Sequence, residues 1–256
     1  MTLEKDITAT DANVTEFKIT GSGDTEINGN IDENGNNFDL IKNGTGTATL
    51  TGSHLVSGSG GDTILNNGFL TLANAAKDNT TLQSAQIVIN GGTLLIDNSN
   101  QIKDGTNIVL SGGTLALGGS SLTGPLTETL GTLTLSADST IDFGGNDWSL
   151  FFADSSGETW DEDSILTITN WSGIPTYGDG SDQLSFGSDN FGLTAQQLSQ
   201  IRFADYEDVG YYQEFGNLHL VDGEVVPVPE PKFYVGGGAL LILIIWFERR
   251  RRKPKA

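Results

Sequence analysis

Imidazole, the side chain best suited to acid–base work near neutral pH, occurs only at His54 and His219. The two are far apart in the chain, and neither stands in a metal-binding spacing such as His-Glu-x-x-His. Cysteine is absent, so thiolate nucleophiles, Cys-based metal sites, redox pairs and disulfide staples are all excluded. No Gly-x-Ser-x-Gly elbow, Walker loop or strand-linked Gly-x-Gly-x-x-Gly occurs. Carboxylates are plentiful, with 33 Asp and Glu against 13 Lys and Arg. A carboxylate pair that cleaves an acidic glycan needs a positioned basic residue beside it. Only six Lys and Arg precede Lys232, and no aspartate recurs at a repeat spacing next to an arginine. These residues point to a non-enzymatic chain without catalytic residue or cofactor, and a polysaccharide lyase is the less favoured alternative.

Two acidic stretches could address a hard cation. Gly58-Ser-Gly60-Gly-Asp62-Thr-Ile64 partly matches the calcium nonapeptide of β-roll proteins. It occurs once, whereas a shared ion needs consecutive copies. Asp161-Glu162-Asp163 offers oxygen ligands but reads as a solvated acidic turn, and no metal site is assigned. The formal charge of −20 is unevenly placed, with −26 before Lys232 and +6 from Lys232 onward. Such an acidic body repels phosphate backbones, which excludes nucleic acid as a partner.

The remaining chemistry is in the tail. Pro229-Glu230-Pro231 precedes an apolar run from Phe233 to Phe247, followed by Arg249, Arg250, Arg251, Arg252 and Lys253. An apolar helix ending in cations is held in a bilayer with the cations on the cytoplasmic side, so the acidic body lies across the membrane. At about 1.5 Å per residue the 233–247 helix covers roughly 22 Å, short of the ~30 Å hydrocarbon core. Gly236, Gly237 and Gly238 weaken it further. The segment suits a temporary stop better than a permanent anchor.

This order of triplet, short span and basic cluster at the C-terminus resembles the PEP-CTERM sorting signal. The resemblance implies that Pro229, Glu230 and Pro231 form the sorting motif and that Arg249 to Lys253 form the membrane-stop cluster. It also implies that a membrane-embedded exosortase-type protease removes the helix. The protein would then pass from a transiently membrane-anchored precursor to the cell surface or extracellular matrix. The same segment also resembles a C-terminal segment named for ice-binding proteins. Met1-Thr-Leu-Glu lacks the basic and apolar regions of a secretory signal. Export therefore leads us to expect such a signal, and further repeats, upstream of Met1.

The body that this tail would deliver is repetitive. Gly46-Thr-Ala48-Thr-Leu50, Gly68-Phe-Leu70-Thr-Leu72, Gly92-Thr-Leu94-Leu-Ile96, Gly113-Thr-Leu115-Ala-Leu117 and Gly131-Thr-Leu133-Thr-Leu135 repeat one phrase, with a degenerate copy at Gly23-Asp-Thr25-Glu-Ile27. Successive glycines are 23, 22, 24, 21 and 18 residues apart, a solenoid period. Second short strands at Thr63-Ile64-Leu65, Ile87-Val88-Ile89 and Ile108-Val109-Leu110 precede the glycine, so strand, tight turn and strand form a corner. Alternation turns Leu70, Leu72, Leu94, Ile96, Leu115, Leu117, Leu133 and Leu135 inward and Thr71, Thr132 and Thr134 outward. A single coil cannot bury its apolar face, so stacking into a parallel β-helix is expected, with an antiparallel sandwich as the competing arrangement. The units resemble the autotransporter-associated β-strand repeat, which implies a surface-displayed β-helix without chemistry of its own. Outward threonines at Thr45, Thr47, Thr49, Thr132 and Thr134 raise a second function, binding of ice or extracellular polysaccharide, although Phe69 interrupts their pattern.

Residues 1–143 therefore read as β-solenoid repeats and 144–226 as a β-rich cap region. The sorting signal occupies 227–256, including the single C-terminal transmembrane helix 233–247. Phe143, Trp148, Phe151, Phe152, Trp160 and Trp171 concentrate where the period breaks down, and read as core or cap rather than sugar-stacking platforms. One short helix is signalled after Thr194, which can cap with Gln197 while Leu193 staples onto Leu198.

Overall fold

The computed structural model describes residues 1–227 apart from 9, 12, 33–36, 53, 56–60, 76–80, 120–124, 176, 205–217 and 222, with backbone alone at 54–55 and 218–221. The chain forms an all-β parallel solenoid. Each coil contributes a strand to one broad sheet of nine: Thr2–Leu3, Thr25–Ile27, Thr47–Leu50, Phe69–Leu72, Thr93–Ile96, Thr114–Leu117, Ser139–Asp142, Leu166–Thr169 and Ile201–Phe203. A second face is the six-strand sheet of Glu16–Ile19, Asp39–Lys42, Thr63–Leu65, Gln86–Ile89, Asn107–Ser111 and Leu133–Ala137. The third face begins as Ile7–Thr8, Ile31–Asp32 and His54–Leu55. It narrows to a bridge between Leu82 and Ile102, then widens again through Leu126–Thr129, Trp148–Phe152 and Gln183–Phe186. Successive coils pair in parallel throughout, which rules out the sandwich. Among the described residues antiparallel pairing is confined to the strand Glu224–Pro227, which pairs with Leu218–Val221 and meets Gln183–Phe186 at Ser185.

Alternation with period two produces the core. The register aligns Ala48, Leu70, Leu94, Leu115, Ile141 and Ile168 in one inward column, and Ile27, Leu50, Leu72, Ile96 and Leu117 in the next. Nearly all of these side chains are fully buried. At roughly 1.5–3 kcal/mol for each buried aliphatic side chain, stacking rather than any single coil stabilises the fold. The expected corners form between Leu65 and Phe69 and between Ile89 and Thr93. The glycine is required there by two conditions: Gly92 has φ +73°, and a Cβ on it would lie 2.3 Å from the Gly68 carbonyl oxygen of the coil below. Beside this corner an asparagine ladder climbs the stack. Asn66 Nδ2 donates to Asn43 Oδ1 at 2.7 Å, and Asn90 Nδ2 donates to Asn66 Oδ1 at 2.8 Å.

One copy of the phrase is placed differently from its reading. Leu133–Ala137 pairs with Asn107–Ser111 in the six-strand sheet, setting Leu133 against Ile108 and Leu135 against Leu110. The seat above Thr114–Leu117 is taken by Ser139–Asp142. A glycine followed by alternating leucines suits any face of the coil. The short interval of 18 residues before Gly131 is the mark of a strand arriving one face early.

The nine-strand sheet continues past residue 143, while the six-strand sheet ends with Leu133–Ala137. Beyond it, bulky side chains fill the section. Phe143, Trp148, Phe152, Trp160 and Trp171 are all buried, and only Phe151 of the six is turned outward, at 37% exposure. Trp148 Nε1 donates to the Gly118 carbonyl and Trp160 Nε1 to the Leu133 carbonyl, each at 2.8 Å. The rings of Phe152 and Phe186 stack at 5.0 Å, and Trp171 meets Phe203 edge-on at 4.8 Å. The helix is Ala195–Ser199, with the expected capping box between Thr194 and Gln197. Among the described residues no helix is long and apolar enough to cross a membrane. The apolar run 233–247 lies outside the described residues.

Candidate functional site

Some of the carboxylates, the main reactive group of the sequence, serve as ladder parts. Where a coil bends, an amide of the next coil loses its backbone carbonyl partner, and an aspartate supplies the acceptor. Asp6 accepts from Asn30 N at 2.8 Å, Asp24 from Thr47 N at 3.0 Å, Asp39 from Asp62 N at 2.9 Å, and Asp138 from Ile165 N at 2.8 Å. Asp62 in turn accepts from Gln86 N. Burial and the neighbouring charge of Asp39 raise its pKa above the usual carboxylate range. Asp62 is thus a link between coils, while residues 58–60 of the calcium-like stretch lie outside the described residues. Asp161 closes its own turn by accepting from Asp163 N at 3.2 Å and Ser164 Oγ at 2.9 Å.

Four charged side chains are buried among the described residues: Lys42, Glu128, Asp182 and Glu224. Lys42 takes an inward position between Ile19 and Leu65. Its Nζ donates to the Gly44 and Asn67 carbonyls at the glycine corner, and burial pushes its pKa down. Glu128 has no solvent exposure. Its Oε2 accepts from Gln101 N at 2.8 Å and its Oε1 from Ile102 N at 3.2 Å. Burial raises its pKa to about 8 against the pull of those two amides, with a small addition from Asp104. A perturbed carboxylate often marks an active site. Here both oxygens are occupied by backbone and neither reaches a surface, so the group seals the seam where the third face narrows. Asp182 holds Trp148 N and Ser172 at 2.7–2.8 Å. Glu224 Oε2 accepts from Asp179 N at 2.9 Å, and burial raises its pKa as well. No group of three or more His, Cys, Asp or Glu among the described residues could hold a metal ion. His54 pairs with Ile31 on the third face and His219 with Val226 in the antiparallel hairpin, so the two imidazoles belong to different sheets.

The outer face of the nine-strand sheet shows what linear reading missed. Its register aligns Thr47, Phe69, Thr93, Thr114, Thr140, Thr167 and Arg202 in one outward column. Four successive coils therefore present a threonine in the same place, one strand spacing of about 4.8 Å apart. The adjoining column runs Glu26, Thr49, Thr71, Leu95, Ala116, Asp142 and Thr169. On so acidic a body this strip is nearly neutral and rich in hydroxyls, and Phe69 stands 49% exposed near one end. Thr71 lies on it as expected, whereas Thr132 and Thr134 flank and enter the six-strand sheet instead. Part of the signal was present at Thr93 and Thr114, each the second residue of a Gly-Thr-Leu phrase, but only the strand register shows that Thr140 and Thr167 share their column while Thr132 does not.

At the N-terminal end a cleft of about 230 Å³ is lined by Ile7, Thr8, Thr10, Val14, Phe17 and Phe38. It carries no charged group. The sorting residues Pro229, Glu230 and Pro231 and the basic cluster Arg249, Arg250, Arg251, Arg252 and Lys253 lie outside the described residues. The described chain reaches Pro227, two residues before the triplet. Compared with protein-family models, curated proteins and solved structures, the chain finds no match.

Proposed function

We propose that this is a non-enzymatic exported protein of the cell surface or extracellular matrix, with a role in adhesion or biofilm. In this reading residues 229–253 hold it briefly in a membrane for an exosortase-type protease. The observation that carries this reading is the tail itself, in which Pro229-Glu230-Pro231, a short glycine-weakened apolar run and five consecutive cations follow one another. A parallel solenoid in which a set of carboxylates is committed to its own backbone is compatible with such a role. The test is mass spectrometry of the mature C-terminus in a host carrying an exosortase, beside a chain lacking 229–256. Cleavage near the triplet, abolished by the deletion, is expected. A mature protein that keeps residues 233–247 sinks the proposal.

A second reading is favoured by the threonine column: the nine-strand face binds a neutral polysaccharide, with Phe69 as a platform for a sugar ring and Thr93 and Thr114 as hydrogen-bonding partners. Ice is the weaker ligand. Threonine pairs are complete only at Thr47/Thr49 and Thr167/Thr169, while Phe69 breaks the plane and Leu95, Ala116 and Asp142 interrupt the second column. Pull-down on insoluble neutral glycans with Phe69→Ala as comparison tests the sugar version. A thermal-hysteresis measurement tests the ice version.

A further inference from the structure

Apart from Met1, five large apolar side chains stand exposed among the described residues, and three of them, Ile174, Tyr177 and Phe191, belong to the terminal coil. Tyr177 and Phe191 are 77% and 76% exposed, more than Phe69 or Phe151. Their loops flank the strand Gln183–Phe186, and both touch the strand by which the chain leaves the solenoid. Asp179 N donates to Glu224 at 2.9 Å, and a Cβ on Gly223 would lie 2.6 Å from the Gly187 carbonyl oxygen.

Scattered apolar side chains on a surface need no explanation. Three on the coil nearest a bilayer-seeking segment do. From Pro227 to Phe233 the fully extended chain covers at most about 20 Å, so that coil cannot stand far from the start of the apolar run. The nine-strand sheet is about 38 Å deep at one strand spacing per coil, which leaves the first coil well away.

We propose that, in the membrane-held precursor, the terminal coil docks on the headgroup layer of the lipid bilayer through Ile174, Tyr177 and Phe191. The inference rests on the reading of 233–247 as a membrane segment. A tyrosine suits that layer because its ring is apolar and its hydroxyl stays wet. The tether supplies a high effective concentration, so contacts too weak to bind alone suffice while it is intact. Docking holds the 228–232 linker at the membrane surface, where a membrane-embedded protease works. Removal of the tail releases the contact. The body is acidic, so the matching surface is zwitterionic rather than anionic.

Because the chain has no cysteine, a single nitroxide label can be placed without background. The full chain carrying Ser188→Cys, in the exposed loop that holds Phe191, or Thr10→Cys, at the far end, is reconstituted in phosphatidylcholine vesicles. Vesicle flotation and collision with a water-soluble nickel complex are then measured. The Ser188 label is expected to be shielded from nickel and the Thr10 label open. Adding Ile174→Ser, Tyr177→Ser and Phe191→Ser should restore nickel access at position 188 without changing flotation. Equal nickel access at both positions on chains that float overturns the docking and leaves the tail reading intact. Shielding that survives the triple substitution, or that extends equally to Thr10, also overturns it. A chain that does not float overturns the membrane reading and the docking with it.

Discussion

Glu128 gives the most quantitative expectation. Its pKa is raised from 4.5 to about 8 by burial, while two amides donate to it. Below pH 4.5 the carboxyl is protonated in both folded and unfolded chains, and it contributes no pH dependence. Between 4.5 and 8 the unfolded chain releases the proton and the folded chain retains it, so stability falls as pH rises. Above 8 both states are ionised and the full penalty is present, about 5 kcal/mol at about 1.4 kcal/mol per pH unit. From pH 5 to pH 8 the loss is about 3–4 kcal/mol. Asp62 and Glu224 are shifted in the same direction, so the wild-type profile alone does not isolate Glu128. Glu128→Gln does. The amide oxygen can keep the 2.8 Å bond from Gln101 N, but the amide nitrogen is set against Ile102 N, which costs roughly 1–3 kcal/mol at any pH. The variant should be the less stable protein at pH 5 and the more stable at pH 8. Urea unfolding followed by the fluorescence of buried Trp148, Trp160 and Trp171 measures both. A wild-type-minus-variant difference that stays constant across this range would refute the assignment of the proton to Glu128.

Gly92→Ala should destabilise by at least about 2 kcal/mol, because it combines φ +73° with a Cβ 2.3 Å from a backbone oxygen. Gly145→Ala, with open space around the new Cβ, should leave the urea midpoint nearly unchanged. Leu115→Ala, fully buried between Leu94 and Ile141, should cost about 2–5 kcal/mol, whereas Thr114→Ala on the outer face should stay within about 0.5 kcal/mol. Asn66→Ala breaks both bonds of the asparagine ladder. It should lower stability by about 1–2 kcal/mol in the same assay.

The core was legible because alternation and a glycine corner are local signals. Leu70, Leu94 and Leu115 announce their inward direction in three residues each. The choice of face was less legible, since Gly131-Thr-Leu133-Thr-Leu135 carries the same local signal on a different sheet. The threonine column was hidden for a related reason. Its members at 93, 114, 140, 167 and 202 are separated by loops of growing length, so no fixed spacing connects them, although the sheet register does. Lys42 and Glu128 were masked by their chemistry. Both occupy positions that alternation marks as inward, in Leu40-Ile-Lys42 and Leu126-Thr-Glu128, but a charge at such a position ordinarily argues against burial. Each is tolerated because the coil brings unpaired backbone groups within reach: carbonyls for the lysine, amides for the glutamate.

That exchange bears on the acidity of the body. A parallel stack pairs its strands completely but leaves amides over at each bend, and a short carboxylate at the bend below is a strong acceptor for them. Asp6, Asp24, Asp39, Asp62 and Asp138 are spent in this way, so part of the −26 charge before Lys232 is structural and does not describe a ligand. The arrangement has a cost of its own. Glu16, Asp39 and Asp62 occupy neighbouring coils, and the charge of Asp39 helps raise the pKa of Asp62. Salt should ease this repulsion between partly exposed carboxylates while leaving their amide bonds in place. On the nine-strand face threonines take the place of acids through most of the middle of the stack, with Asp142 as the exception.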